Sequence, residues 1–569
     1  MRKNNDNPEL KNFDVELYHD QFGRLGSGVL SFGGNQWACV SLLMSDNALA
    51  LRTDDAKFDL VKAITNEGSI FCLCDCGTNG IALYADYVID GDLKEAAVDS
   101  ISVRYSDVSE WFLHWRKVDG SVGKTLNWTR IPKDINVSIK TDDEQFDLRS
   151  AYCSSHSQLG EDLVLHEHVE FIFSAKGSTF SLADVKAKTH ELSCLLSILL
   201  AYPVTIISVV VSQGSGRSYQ IYFPTFERPE RSKDDNSFWV RCFIQQPALD
   251  GRWQTIFDHY YQSNYRKVCW VRLSGMQRYD GFWEYKTLGY VSLLDRYLSI
   301  KFNRAPPSES RPPALKKITK FRQYLAEELP DILPNEQDKI VDIANKAFSS
   351  TTLSFSNKYR LAIEEADIDI IKIINLSEDE FSLIKKVRDR VAHGADHGLE
   401  QDQLPTVIRA QAKIALLLTY WAFLDFGFMA QEFIACLAKT HSNLVLAAMI
   451  DSVYMQRVTG TAEFFSVTAE KLRLLRGIKR LRFQSCCTEN EIGEIEFSEE
   501  FTKKYTDWSN DTTRTSTIHD PEQIFGLSKD QARLVNQGYF ECGEDRFVVY
   551  HMWIIKQIDS SPKYTPTLS

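Results

Sequence analysis

The chain is poor in the features that would set it apart from ordinary globular proteins. Cysteine is scarce, 12 in 569 residues, which excludes a disulfide scaffold and points to reduced thiols. With 28 Gly and 16 Pro the chain is neither collagenous nor low-complexity. Basic charge is not in excess: 65 Lys and Arg against 77 Asp and Glu give a net charge of −12. Bulk positive charge therefore cannot drive nucleic-acid coating, although local basic segments can still bind RNA. The start at Met1 lacks a basic stretch followed by an apolar signal core, so a cytoplasmic location is expected. No internal repeat is visible, and GSGRS and GRLGSG lack the lysine and the spacing of a phosphate loop.

Long apolar runs are few. Cys194 to Val211 is interrupted by Pro203, which fits a buried helix running into a buried strand better than a membrane span. Ile414 to Ala438 contains Asp425, Gln431 and Glu432, and charge at bilayer depth is costly, so a core helix of a bundle is expected. No membrane association is expected.

What is present falls into three regions. From Gly23 to Ser181, runs such as GSGVLSF, SIFCLCDCG, GIALYADYVI and LVLHEHVEFIFSA alternate and are bounded by Gly, Asp and Asn. They predict antiparallel strands, with a sandwich as the expected arrangement. Ser181, with Asp184 three residues on, predicts the start of a helix to Ala201 that packs on the same β unit. The β-rich region is expected over residues 1–275, as a sensing or regulatory part. From Gly281 the period changes to that of helices, predicting an all-α bundle of four to five helices over residues 281–440, broken at prolines and at Gly394. Residues 441–569 predict a small α+β or helical extension ending in the strand RFVVYHMWIIKQI. The fold class is therefore α+β.

Several clusters carry potential chemistry and a plainer alternative. Cys72, Cys74 and Cys76 alternate on one strand, which would place three thiols on one face; without a turn-spaced second pair, buried small side chains are the better reading. His166 and His168 form an i, i+2 pair that could ligate a metal, but an exposed strand face is the expected reading. KLRLLRGIKRLR, Lys471 to Arg482, has interleaved apolar and basic residues; a packing helix with a solvated basic face is expected ahead of RNA or membrane contact.

The segment Arg388-Asp389-Arg390-Val391-Ala392-His393-Gly394 stands apart. Six pairs of Arg and His at x4 to x6 spacing occur in the chain, Arg252/His259 among them, so spacing alone carries no signal. Context does: amphipathic helix precedes Arg388, a polar residue follows it, and a His-Gly stop leads to the long apolar helix from Pro405. Five residues of α-helix turn about 500°, leaving Arg388 and His393 some 140° apart. They can meet only if the helix ends near His393, and Gly394 can take the left-handed conformation that ends it.

Here the sequence resembles the HEPN superfamily, whose ribonucleases carry Arg, a polar residue, spacers and His at this place in a helical bundle. The β-rich half ahead of the bundle, with SDVSEWFLHWR and LADVKAKTHELSCLLSILLAYPV, resembles ApeA-type anti-phage defence proteins. The resemblance implies an abortive-infection endoribonuclease that cleaves host RNA, with tRNA a candidate substrate class, inside a bacterial cell. It implies a homodimer whose two Arg/His sets complete one site, and a phage-encoded trigger or inhibitor. Arg388 and His393 would be catalytic, with Asp389 orienting Arg388. The ribose 2′-OH attacks phosphorus, so a base, an acid and a cation are needed; histidine and arginine supply them without a metal or cofactor. Arg390, Lys385 and Lys386, with Lys316, Lys317, Lys320 and Arg322, are candidate RNA contacts. The alternative is a non-catalytic HEPN module that docks a protein or nucleic-acid partner.

Overall fold

The computed structural model describes residues 10–556 apart from 34–35, 44–56, 94–96, 122–123, 131, 215, 225–237, 303–314, 330–333, 349–352 and 514–518. The proline pairs at 306–307 and 312–313, Pro330 and the tail from Ser560 lie outside the described residues. The chain forms two compact units, residues 1–450 and 451–569.

The first unit opens with β1 (Lys11–His19), β2 (Gly23–Gly33), β3 (Gln36–Leu42), β4 (Lys57–Thr65), β5 (Ile70–Thr78) and β6 (Ala82–Asp90). Their order is β6-β3-β2-β1-β4-β5, and β5 also pairs with β6, so the six close into a barrel. This corrects the expected sandwich: the strands are antiparallel as expected, but the β5–β6 pairing closes the ring and removes its edges. Val15, Leu17, Leu30, Val40, Val61 and Leu73 fill its core. Gly28 is required by close approach, because a Cβ there would lie 2.3 Å from the Ser41 carbonyl oxygen.

At Val88–Asp90, β6 also pairs with a further strand, extending the barrel wall into an antiparallel sheet. Its strands are β7 (Ser100–Tyr105), β8 (Asn136–Lys140), β9 (Gln145–Leu159), β10 (Asp162–Ala175), β11 (Ile206–Gln213) and β12 (Arg217–Tyr222). They run β12-β11-β7-β10-β9-β8 outward from the barrel. Helix α1 (Leu182–Leu200) starts at the expected Ser181/Asp184 capping box and ends at Ala201 in the left-handed conformation. It packs on the β elements: Tyr87 and Tyr105 donate to the Leu182 and Thr189 carbonyls at 2.7 and 2.6 Å. Pro203 follows, and β11 begins at Ile206, as the apolar run predicted.

The three thiols of β5 do not share a face as expected. All are buried, but Cys76 joins Phe71 and Leu73 in the barrel core while Cys72 and Cys74 do not. Asp75 between them has φ +49°, which breaks the two-residue alternation.

The helical region comprises α2 (Val271–Arg278), α3 (Trp283–Lys301), α4 (Leu315–Glu328), α5 (Pro334–Phe348), α6 (Phe355–Glu365), α7 (Ile368–Ile374), α8 (Glu378–Ala392), α9 (Leu404–Asp425) and α10 (Ala430–Lys439). Over residues 281–440 this is more than the four to five expected, because α6 and α7 add two short helices and the last apolar run splits at Gly427, φ +84°. Helix α9 is long and apolar enough to cross a bilayer, yet 83% of its apolar window is buried inside the protein. It is the core helix the charges predicted. Its end is fixed to the preceding elements by Asp425, which accepts from Trp270 Nε1 at 2.6 Å. Arg252, the rival of Arg388 in the sequence, is used in the same way: it pairs with Glu432 and donates to the Gly427 carbonyl at 2.9 Å.

The second unit is α+β. Its mixed five-stranded sheet has the order Glu463–Ser466, Ala532–Cys542, Asp545–Lys556, Cys486–Glu489 and Ile495–Phe497. The basic run becomes a helix, Ala469–Gly477, and a 3₁₀ turn, Lys479–Arg482. Leu472, Leu475 and Leu481 enter the core, and Lys471, Arg476 and Arg480 pair with Glu496, Asp545 and Glu499. This is the expected packing helix with a solvated basic face.

Candidate active site

Helix α8 is pinned at its start. Ser377 and Glu380 form a reciprocal capping box, each side chain accepting the other's backbone N–H at 3.1 Å. Glu380 also accepts from Lys413 Nζ at 2.8 Å and Arg409 Nε at 3.0 Å on α9. Burial pushes its carboxyl up, but the hydrogen bonds and charges of Lys413, the Ser377 N–H and Arg409 outweigh that and hold it below the usual carboxylate range. Phe381, Ile384 and Val387 form the buried face, and Tyr359 of α6 stacks on Phe381 at 3.8 Å.

The other end is free to solvent and sharply terminated. His393 is the C-cap, with φ −97° and ψ 11°. The Gly394 N–H donates to the Val391 carbonyl, the Ala395 N–H to that of Arg390, both at 3.0 Å, and Gly394 has φ +69°. This is a Schellman stop, and it places the helix end where the His-Gly pair predicted. The His393 side chain is exposed and, among the described residues, has no hydrogen-bond or ion-pair partner.

Arg388 is held instead. Its Nη2 donates to Asp295 of α3 at 3.1 Å, Nη1 lies 2.9 Å from Asp389, and the guanidinium sits 5.2 Å from the centre of the Phe355 ring. Its Nε–H is buried and, among the described residues, unmatched. The structure thus brings Arg388 and Asp389 together. Among the described residues no hydrogen bond joins Arg388 to His393 within the chain. Asp295 and Phe355 escaped the sequence reading; they come from other helices, and no local signal marks them.

Beyond His393 the chain folds back. Arg390 Nε donates to the Asp396 carbonyl at 2.7 Å, and a Cβ on Gly398, φ +64°, would lie 2.6 Å from the Arg390 guanidinium carbon. His397 packs edge-on against Trp283, ring centres 5.3 Å apart. Arg390 therefore shapes this loop. Lys385 donates to Ser356 at 2.9 Å and Lys386 is exposed. On α4, Lys320 is exposed and Arg322 pairs with Asp338 at 3.1 Å; the side chains of Lys316 and Lys317 lie outside the described residues. None of these candidates lines the cavity of about 470 Å³ between α1 and α2, whose walls include His190, Glu191, Cys194, Lys267 and Arg278.

Residues 26–260 match the family model for ApeA N-terminal domain 1. The matched span begins within the barrel, takes in the sheet extension and α1, and ends before the helical region. It supports an ApeA-type anti-phage defence protein. No curated protein and no solved structure matches the chain.

Proposed function

We propose that the chain is the endoribonuclease of an anti-phage system, acting through a HEPN-type bundle, with Arg388 and His393 as its catalytic residues. The observation that carries the reading is the end of α8, where an exposed imidazole, unengaged among the described residues, lies five residues after a guanidinium fixed by two carboxylates. Arginine offers a permanent charge and a planar fork for the phosphorane oxygens. Histidine moves a proton near neutral pH, either from the 2′-OH or to the leaving 5′-oxygen.

One imidazole does half of that work, and within a single chain no hydrogen bond among the described residues joins it to the arginine. A two-fold pair of chains sharing the two helix ends would supply both proton-transfer groups and two cations. Asp389 and Asp295 then act as positioning residues, holding the Arg388 fork in one orientation. Lys386, exposed on α8 three residues before Asp389, is a candidate contact for the RNA backbone, and tRNA is the candidate substrate class.

The experiment is purified full-length protein incubated with total RNA, with and without EDTA, and analysis of the fragment ends. The reading expects 2′,3′-cyclic phosphates in both conditions. A competing reading, a bundle that docks a partner without cleaving, is favoured by the prior engagement of Arg388 with two acids. Stable capture of one partner, with no RNA cleavage under any activating condition, would select it.

A further inference from the structure

Strands β9 and β10 pair over their whole length, from Phe146↔Ala175 to Leu159↔Asp162. The neighbouring β7 supports β10 only from Phe171 to Ser174. Beyond Phe171 the two strands continue as a ribbon with no third strand beside it among the described residues, held from outside by Ser109, which accepts from the Val169 N–H at 3.1 Å, and by Arg116 and Trp128, which donate to Glu167 at 3.1 and 2.8 Å; a two-stranded ribbon alone is marginally stable in water. At the base of that ribbon lie three potential metal ligands. Cys153 and His168 are directly opposed across the pair, and Glu170 follows His168 by two residues, on the same face. The ligand atoms of all three lie within 4.8 Å of one another, and His168 Nε2 is 3.1 Å from Glu170 Oε1.

We propose that Cys153, His168 and Glu170 form a binding site for a zinc-like divalent cation. Tetrahedral zinc takes N and O ligands at about 2.0–2.2 Å and S at about 2.3 Å. Ligand atoms around it are therefore a little over 3 Å apart, close to the His168–Glu170 separation, and a small rotation of Cys153 closes the third contact. One thiolate, one carboxylate and one imidazole balance a double positive charge and leave the fourth position open. The carboxylate is already oriented, since Ser102 on β7 donates to Glu170 Oε2 at 2.8 Å; such outer-shell bonds tune metal affinity. Arg104 and Arg149 face the cluster as well. They oppose an arriving cation but favour the thiolate it needs, against burial and Glu170, which push the thiol up.

Of the i, i+2 pair His166 and His168, only His168 joins the cluster: His166 Nε2 bonds Ser157 Oγ at 2.8 Å, and the cross-strand register supplies Cys153. The site shares no residue with the proposed RNA-cleaving set. Its role is a clamp that fixes the ribbon where it leaves the sheet.

Full-length protein titrated with Co²⁺ tests the proposal. Saturation is expected at one ion per chain, with a sulfur-to-cobalt charge-transfer band that Zn²⁺ displaces. Cys153→Ser should abolish the band, Ser102→Ala should weaken binding roughly 10–100-fold, and Cys39→Ser should change neither. Zn²⁺ should also slow amide exchange over residues 153–168. A charge-transfer band of full strength in Cys153→Ser, or no uptake by the folded wild-type chain, would overturn the proposal.

Discussion

Glu380→Ala removes a carboxylate from a position where Glu380 and Lys413 are only 8% and 5% exposed. The Lys413 ammonium then keeps one acceptor, the Asn375 carbonyl at 2.6 Å, for three donors. Deleting one member of a buried pair costs about 3–5 kcal/mol, whereas an exposed pair is worth about 0–1 kcal/mol. Arg409, about a third exposed, can turn to water and adds little. The substitution also removes half of the capping box at the start of α8, so a loss of about 3 kcal/mol or more is expected in urea unfolding followed by tryptophan fluorescence. Replacing both partners, Glu380→Leu with Lys413→Met, should recover most of it, because no buried charge is left alone. The pH dependence follows the same logic. The folded carboxyl lies below its unfolded value of about 4.3, so its contribution is complete above that value and is lost as pH falls through the lower folded one. The alanine variant should lack that part of the acid sensitivity. A single-variant cost under about 1 kcal/mol would refute the reasoning.

Three further outcomes are expected. Gly394→Val places a β-branched residue at φ +69° with no neighbouring atom within 4 Å; it should cost about 1–2 kcal/mol of stability and lower RNA cleavage by displacing His393, and unchanged cleavage would contradict the role of the stop. Asp295→Asn keeps the shape and removes a charge that positions Arg388. It should lower the cleavage rate about tenfold, near 1.4 kcal/mol, with the oligomeric state unchanged by light scattering; an unchanged rate would remove Asp295 from the positioning set. Cleavage should persist within about twofold in EDTA, and loss of activity restored by Mg²⁺ would contradict acid–base chemistry by side chains alone.

Local features were the legible ones. Ser181/Asp184 and Gly394 announce helix ends because capping and left-handed termination are decided within a few residues. The apolar run broken at Pro203 gave helix then strand for the same reason. Barrel closure was not legible: it depends on β5 meeting β6 on one side and β4 on the other, and alternation looks alike in a sandwich and a barrel. The Arg388 partners Asp295 and Phe355 reach it from α3 and α6 through packing that no spacing rule encodes. Cys153 was not singled out, because only the register of its strand against that of His168 brings the two together, and the face of Cys76 was misread because nothing marked Asp75 as left-handed.

In the proposed function a guanidinium and an imidazole at the end of α8 break RNA. The direct measurement compares wild type, Arg388→Ala and His393→Ala in the cleavage assay, alongside circular dichroism and light scattering. Cleavage should vanish in both variants while fold and oligomeric state are retained. Full cleavage by both folded variants would contradict the account.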